Sequence, residues 1–274
     1  MSEREGVDEV TGIPYIIDST GERRYLACFN SPDVIDDSFK AGAEELPDSE
    51  IRECDYSFVD LRILNQKRTS GCVGWSAAKL MRLALGLRGA MPIPNISPAF
   101  IYAMINGGRD AGANMYQSLK ALIDIGAALE ELVPDNQIFK RMISDAAYEQ
   151  AKRFKASKGT RLQTYRQILS QLTLGNLCSG GITVDQNFMN FANDNGVIRR
   201  GGRKVGGHAL TFIGVKKFGG KFKLKGVNSW DVSFGLQGYF YIGEEWFDGE
   251  RDHWALEVPV LDPIDPNMPP VPHD

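Results

Sequence analysis

Helical patterning gives way to strand patterning at one point in this chain of 274 residues, just past Gly175. From Cys72 to Leu87 apolar side chains fall on nearly every face (Val73, Ala77, Leu80, Leu83, Ala84, Leu87), which predicts a buried helix ended by Gly86 and Gly89. Ser97-Pro98 opens a second helix with a cap and a first-turn proline, and Asn106-Gly107-Gly108 stops it. Asn114 to Ile125 reads as a third, closed by Gly126, with two more over Ser144 to Ser157 and Tyr165 to Leu174. Downstream, Gly181 to Val184, His208 to Phe218, Phe222 to Asn228, Gly238 to Ile242 and Trp254 to Val258 are β-rich and bounded by glycine. A chain so divided is expected to be α+β, with a helical first lobe and a mainly antiparallel second lobe.

Cys72 opens the first of these helices, after the small, flexible run Thr69-Ser70-Gly71. A thiol at a helix N-terminus feels the unpaired backbone N–H groups, which favour its thiolate, the nucleophilic form. Alone this is weak evidence, because cysteine is often buried simply as a small hydrophobe. Two further segments add to it. His208 lies in Gly206-Gly207-His208-Ala209-Leu210 and Asn228 in Val227-Asn228-Ser229-Trp230, both in the strand-rich half. Of the three histidines, His273 sits in a proline-rich tail, so His253 is the competitor for a catalytic role.

The order Cys, His, Asn resembles that of papain-like cysteine peptidases, and the likeness runs from about Asp60 to Ile242. Asp60-Leu61-Arg62 is similar to the opening of the mature family domain, and Gln66 precedes Cys72 by six residues, the spacing of the family's oxyanion-hole glutamine. Ser97-Pro98-Ala99-Phe100 and the stretch from Gly112 to Glu130 resemble the helical connections that follow the nucleophile helix; Asn228-Ser229-Trp230, Gly235 and Gly238-Tyr239 resemble the asparagine strand and its glycine-rich turn. There are departures. Val73 and Trp75 stand where many members carry Trp and Phe, Asp231 replaces a glycine, and Phe234 stands for a second Trp. Thr69 occupies the place of a cysteine, so the family's usual disulfide beside the active site cannot form.

The resemblance implies a papain-like two-lobe fold with a barrel-like β lobe and the active site between the lobes. It also implies roles. Cys72 is the nucleophile, His208 the base that takes its proton, and Asn228 the acceptor that fixes the imidazole tautomer. Gln66 and the Cys72 backbone N–H are the oxyanion donors, each contributing about 3 kcal/mol. Trp230 is expected to shield the His208–Asn228 contact. The implied activity is hydrolysis of peptide bonds in a polypeptide substrate through an acyl-enzyme, without metal or organic cofactor. Other uses of the same residues stay open: acyl transfer to an amine, isopeptide cleavage, or a papain-fold structural component of a larger assembly such as a virus particle.

Composition supports an enzyme that folds without staples. At 43% hydrophobic residues the chain can bury a large core. Cys28, Cys54, Cys72 and Cys178 are scattered with no Cys-x-x-Cys pair, which argues against structural zinc and a disulfide framework. A net charge of −4 gives no basic footprint for nucleic acid. No segment approaches 18 apolar residues and the first residues do not read as a signal peptide, so a cytoplasmic location, or a particle assembled there, is expected.

Residues 1–57 form an N-terminal extension, 58–258 the peptidase-like domain and 259–274 a Pro-rich tail. The extension lacks a long amphipathic helix. It reads as a hairpin, Ile13 to Ile17 and Arg24 to Phe29 around Asp18-Ser19-Thr20-Gly21, then an acidic loop from Ser31 to Ser49. A propeptide, a docking arm for an assembly partner and a core-completing strand are equally open readings; the tail is expected to be extended. Gly201 to Gly207 lacks the Gly-Lys-Ser/Thr ending of a phosphate loop and reads as a mobile loop near the active site.

One geometric condition follows from Phe218-Gly219-Gly220-Lys221, a turn signal joining the His208 and Asn228 strands. With a two-residue turn and regular pairing the two side chains point to opposite faces, because the side-chain period is two. A longer loop or one bulge is therefore required.

Overall fold

Cys72–Leu87 forms α1, in which every residue from Cys72 to Leu85 is buried. The structure, a computed structural model, describes residues 5–9, 12–32, 39, 42–247 and 252–259; the tail beyond residue 259 and parts of the acidic loop lie outside the described residues. Helix α1 ends as predicted, with Gly89 at φ +90°. Its all-round burial includes two cations, Lys79 and Arg82, whose partner is Asp60. Arg82 donates from Nε and Nη2 to the two Asp60 oxygens at 2.7 and 2.9 Å, and Lys79 Nζ donates to Oδ2 at 3.0 Å. Burial alone raises the Asp60 pKa, but these two cations bring it down to about 2.

The remaining helices start at side-chain caps. Ser97 caps α2 (Pro98–Ile105), and Asn114 with Gln117 forms a capping box on α3 (Met115–Asp124). Ser144 caps α4 (Asp145–Ala151), Thr164 caps α5 (Tyr165–Thr173) and Asp185 caps α6 (Gln186–Met189), a short helix the sequence pattern did not predict. The predicted helix over Ser144 to Ser157 is too long, since α4 ends at Ala151. Past Ala151 the backbone bonds elsewhere, Ala127 N–H donating to Phe154 O and Ala156 N–H to Leu122 O, and Lys158–Leu162 joins the sheet. Tertiary hydrogen bonds here override local helix propensity.

Among the described residues the N-terminal strands are β1 (Glu5–Val7), β2 (Pro14–Ile17), β3 (Arg23–Arg24) and β4 (Cys28–Phe29), with β5 at Cys54–Asp55 and β6 at Ala113–Asn114. The β lobe contains β7 (Lys158–Leu162), β8 (Cys178–Asp185), β9 (Asn193–Asp194), β10 (Val197–Ile198), β11 (Lys204–Phe218), β12 (Lys221–Val227), β13 (Tyr239–Ile242) and β14 (His253–Glu257). Its sheet runs β7-β14-β8-β11-β12-β13-β10-β9, with β5 added on β11; β10 and β13 pair in parallel and the other pairs are antiparallel. Among the described residues the end strands β7 and β9 do not pair with each other, so the sheet does not close into a barrel. Helix α1 packs against β11, and Ser76 and Thr211 exchange hydrogen bonds across that contact. The fold is α+β in two lobes, as the division of the sequence predicts.

Two expectations resolve differently. The Gly201–Gly207 run is no loop at its C-terminal end: Lys204, Gly206 and Gly207 pair with β8 at the start of β11. The N-terminal hairpin forms through β2 and β3 and gains β1 as a third strand, but its second arm pairs only over Arg23 and Arg24. Residues 25–27 then leave it, and β4 pairs in parallel with β6 of the helical lobe.

The required irregularity is present. The hairpin turn has two residues, Phe218 facing Lys221, and the register shifts between Phe212 and Gly214, leaving Ile213 as a bulge.

Replacing Asp60 by Ala would leave Lys79 and Arg82 buried without their counter-charge. We expect a loss of about 3–5 kcal/mol in urea unfolding, whereas Arg62→Ala, at a half-exposed pair with Glu130, is expected to cost under about 1 kcal/mol.

Candidate active site

The bulge sets the site geometry. Continuing the pairing of Thr211 with Val227 places Trp230 across from His208 and Asn228 two positions away on the same face. His208 Nε2 lies 2.8 Å from Asn228 Oδ1. That oxygen also accepts from Ser229 N–H at 2.8 Å, which fixes the amide orientation and makes Nε2 the protonated ring nitrogen. The second ring nitrogen, Nδ1, is buried and has no hydrogen-bond partner among the described residues. The Trp230 ring stacks on the imidazole at 4.4 Å between centroids and 28° between planes, and Phe188 meets both rings edge-on.

Cys72 stands at the first position of α1, one turn before Ser76. The N-cap is Gly71 and no side chain caps this helix, so its leading N–H groups lack a side-chain acceptor at the cap. Trp75 and Ser76 of α1 line one small cavity with Ala209, Asn228 and Ser229, which brings the helix start to the His208–Asn228 end of the sheet.

Gln66 is carried by a segment fastened to the asparagine strand: Gln66 N–H donates to Ser229 O at 2.9 Å and Asn65 bridges Trp230. Its side chain is fixed at both ends. Oε1 accepts from Ser229 Oγ at 2.9 Å; Nε2 donates to Thr69 O at 2.9 Å and to Tyr25 O at 3.2 Å. Gln66, Ser229, Asn228 and His208 are thus joined by hydrogen bonds at one end of the sheet, and Cys72 opens the helix whose first turn packs there. His253, the competing histidine, sits on β14 against Phe247 and Phe212.

The extension also reaches this place, which the sequence did not indicate. Arg24 lies over the Trp230 ring at 5.2 Å, the Tyr25 carbonyl takes the Gln66 amide, Leu26 covers Gly206, and Ala27 O accepts from Ala113 N–H. Residues 24–28 therefore bridge the lobes across the site as a strap. Arg24 is itself buried and ion-paired to Asp18 at 2.7 Å inside the hairpin. The turn chemistry at Asp18 was readable from Thr20 and Gly21, but nothing in the composition of the hairpin says where it docks.

The imidazole is held neutral. Burial lowers the His208 pKa to about 4, with the Arg24 charge adding to the effect and the Asn228 hydrogen bond opposing it. Between that value and the ordinary 6.5 the unfolded chain binds a proton that the folded chain does not. Stability contributed by neutral His208 is therefore fully present above about pH 6.5 and is lost as pH falls toward 4. We expect the His208 ring signals in NMR to stay in the neutral form at pH 6 and unfolding free energy to decline below it; a ring titrating near 6.5 in the intact chain would contradict this.

No family model matches the chain, and no curated protein matches it in sequence. Solved structures do match in fold. Xylellain, a cysteine protease from Xylella fastidiosa, aligns over 85% of this chain and 96% of its own at a TM-score of 0.71 and 21% identity. A procathepsin B from Trypanosoma congolense covers 85% and 87% at 0.63 and 17%, and a recombinant stem bromelain precursor 86% and 78% at 0.66 and 14%. The chain has the papain-like fold these structures share.

Proposed function

We propose that this chain is a cysteine peptidase that hydrolyses peptide bonds, with Cys72 as nucleophile, His208 as general base and acid, Asn228 as the residue that orients the imidazole, and Gln66 as an oxyanion donor. The observation that carries the reading is the oriented His208–Asn228 pair, with the unpartnered Nδ1 left as proton acceptor, beside the uncapped start of α1. The fold it shares with cysteine proteases supports it.

In this mechanism His208 Nδ1 takes the thiol proton and the sulfur attacks the scissile carbonyl carbon. The carbonyl π pair moves onto oxygen, where Gln66 Nε2 and the Cys72 backbone N–H receive it. As the C–N bond breaks, the leaving amine takes the proton from Nδ1 and a thioester remains. Water then attacks the thioester, His208 receiving the water proton and returning it to the sulfur. Trp230, stacked on the imidazole, keeps water from competing for the Nε2–Asn228 bond.

We infer in addition that residues 24–28 are an inhibitory strap. Tyr25 O occupies the hydrogen bond that Gln66 would give to an oxyanion, and Arg24 disfavours the imidazolium needed for the thiolate pair. Two of the neighbours quoted above are named as a proenzyme and a precursor, which fits an inhibitory extension here.

Peptide hydrolysis by the full chain should disappear in Cys72→Ala, and an epoxide peptide should modify the wild-type chain at Cys72; modification at Cys28, Cys54 or Cys178 alone would remove the assignment. A competing amine in the same assay distinguishes hydrolysis from transfer by the product formed. Arg24→Ala should raise both the initial rate of hydrolysis and the rate of Cys72 labelling by about tenfold, corresponding to about 1.4 kcal/mol of strap contact; an unchanged rate would show that the strap does not inhibit.

A further inference from the structure

One peptide group, Thr69–Ser70, lies between Gln66 and a partly buried carboxylate. Its carbonyl accepts the Gln66 Nε2 donor at 2.9 Å, and its N–H donates to Asp110 Oδ1 at 2.8 Å. The Thr69 hydroxyl donates to Gln66 O, and Thr69 N–H closes a turn to the same oxygen, so the loop leading into Cys72 is tied at its start by its own backbone. Asp110 ties the other side. The carboxylate comes from the segment after α2, outside the loop, and accepts a second hydrogen bond from Tyr102 OH at 2.7 Å.

Tyr102 carries the tie onward. Its hydroxyl oxygen accepts from Gly112 N–H at 3.0 Å, and its Cβ sits where any side chain on Gly74 of α1 would clash. Gly112 has φ +98°, and a Cβ there would lie 2.2 Å from Ala27 O, so this edge admits only a glycine beside the extended segment it pairs with. Asp110 therefore joins two parts of the site that the chain does not connect directly: the peptide that orients the Gln66 amide, and the Gly112–Ala113 edge along which an extended polypeptide lies.

We propose that Asp110 is a positioning residue for the oxyanion hole: through the Thr69–Ser70 peptide it fixes the plane in which Gln66 Nε2 is presented, and through Tyr102 it sets that donor in register with the Gly112–Ala113 edge. The inference rests on the peptidase reading above. Burial keeps the Asp110 pKa above the ordinary carboxylate value, and the Tyr102 and Ser70 hydrogen bonds offset part of that rise.

A double-mutant cycle on the full chain tests it, with kcat and KM measured on a peptide substrate and rates normalised to the Cys72 titrated by iodoacetamide. Alkylation at carbon develops no oxyanion. Asp110→Ala should lower kcat about 10–100-fold, part of the loss expected for an oxyanion donor, with KM changed less than about threefold. In the Gln66→Ala background the same substitution should cost less than about threefold, because a residue acting through Gln66 loses its effect when Gln66 is gone. Asp110→Asn keeps an oxygen able to accept both donors and should restore kcat to within about threefold of wild type. Tyr102→Phe, which cuts the link to Gly112 and spares the Ser70 bond, should act mainly on KM; it also serves where the Ala variant titrates poorly. An Asp110→Ala loss of equal size with and without Gln66, an undiminished kcat, or a Tyr102→Phe loss confined to kcat would overturn the proposal while leaving the peptidase reading in place. Absence of Cys72-dependent hydrolysis from the wild-type chain would remove both.

Discussion

A single unpaired residue decides whether this site can exist. Strands β11 and β12 are joined by a two-residue turn, and regular pairing from that turn would put His208 and Asn228 on opposite faces of the sheet. The bulge at Ile213 shifts the register by one and returns them to a common face. It is held from outside: β5 crosses at this point, Tyr56 N–H donates to Ile213 O, and Gly214 lets the Cys54 carbonyl approach so closely that a Cβ would stand 2.5 Å from it. A short strand distant in sequence from His208 and Asn228 thus sets the alignment of the imidazole with the amide bonded to it.

The helical lobe meets this sheet through α1, which is buried on every side. Such a helix has no solvent face on which to place Lys79 and Arg82, and the structure supplies one carboxylate, Asp60, for both. Gln66 is six residues past Asp60, and its loop is bonded in turn to Ser229 and Trp230. The segment that carries the amide donor is therefore fixed at one end to the core of the helical lobe and at the other to the asparagine strand. Relative displacement of the lobes would strain both attachments.

Much of this was legible in the sequence. Helix α1 begins and ends where its apolar pattern and glycines place it, because local propensity and burial agree there. The need for a bulge followed from turn length and side-chain alternation alone, though its position did not. What sequence reasoning missed depends on contacts between distant segments. The helix from Ser144 was extended too far because Phe154 and Ala156 bond to the backbone at Ala127 and Leu122, which no local pattern reveals. Gly206 and Gly207 read as loop because glycine is rare in strands; here Leu26 lies over Gly206 within a strand that needs a bare backbone. Asp110 and Tyr102 carry no motif, and their connection to Gln66 exists only through a peptide group contributed by a third segment.

The buried pair Asp18–Arg24 lies wholly within the N-terminal hairpin, both charges on the same piece of chain. Lifting that piece off the cleft carries anion and cation away together, so no lone ion is abandoned in an apolar interior at any stage of the movement. What must be broken are neutral hydrogen bonds, apolar cover, the Arg24–Trp230 contact and the solvent-facing pair of Glu5 with Arg203, all of which water can replace at the edge. The hairpin combines a rigid interior with a separable outer boundary, the mechanical character of a latch rather than of a weld.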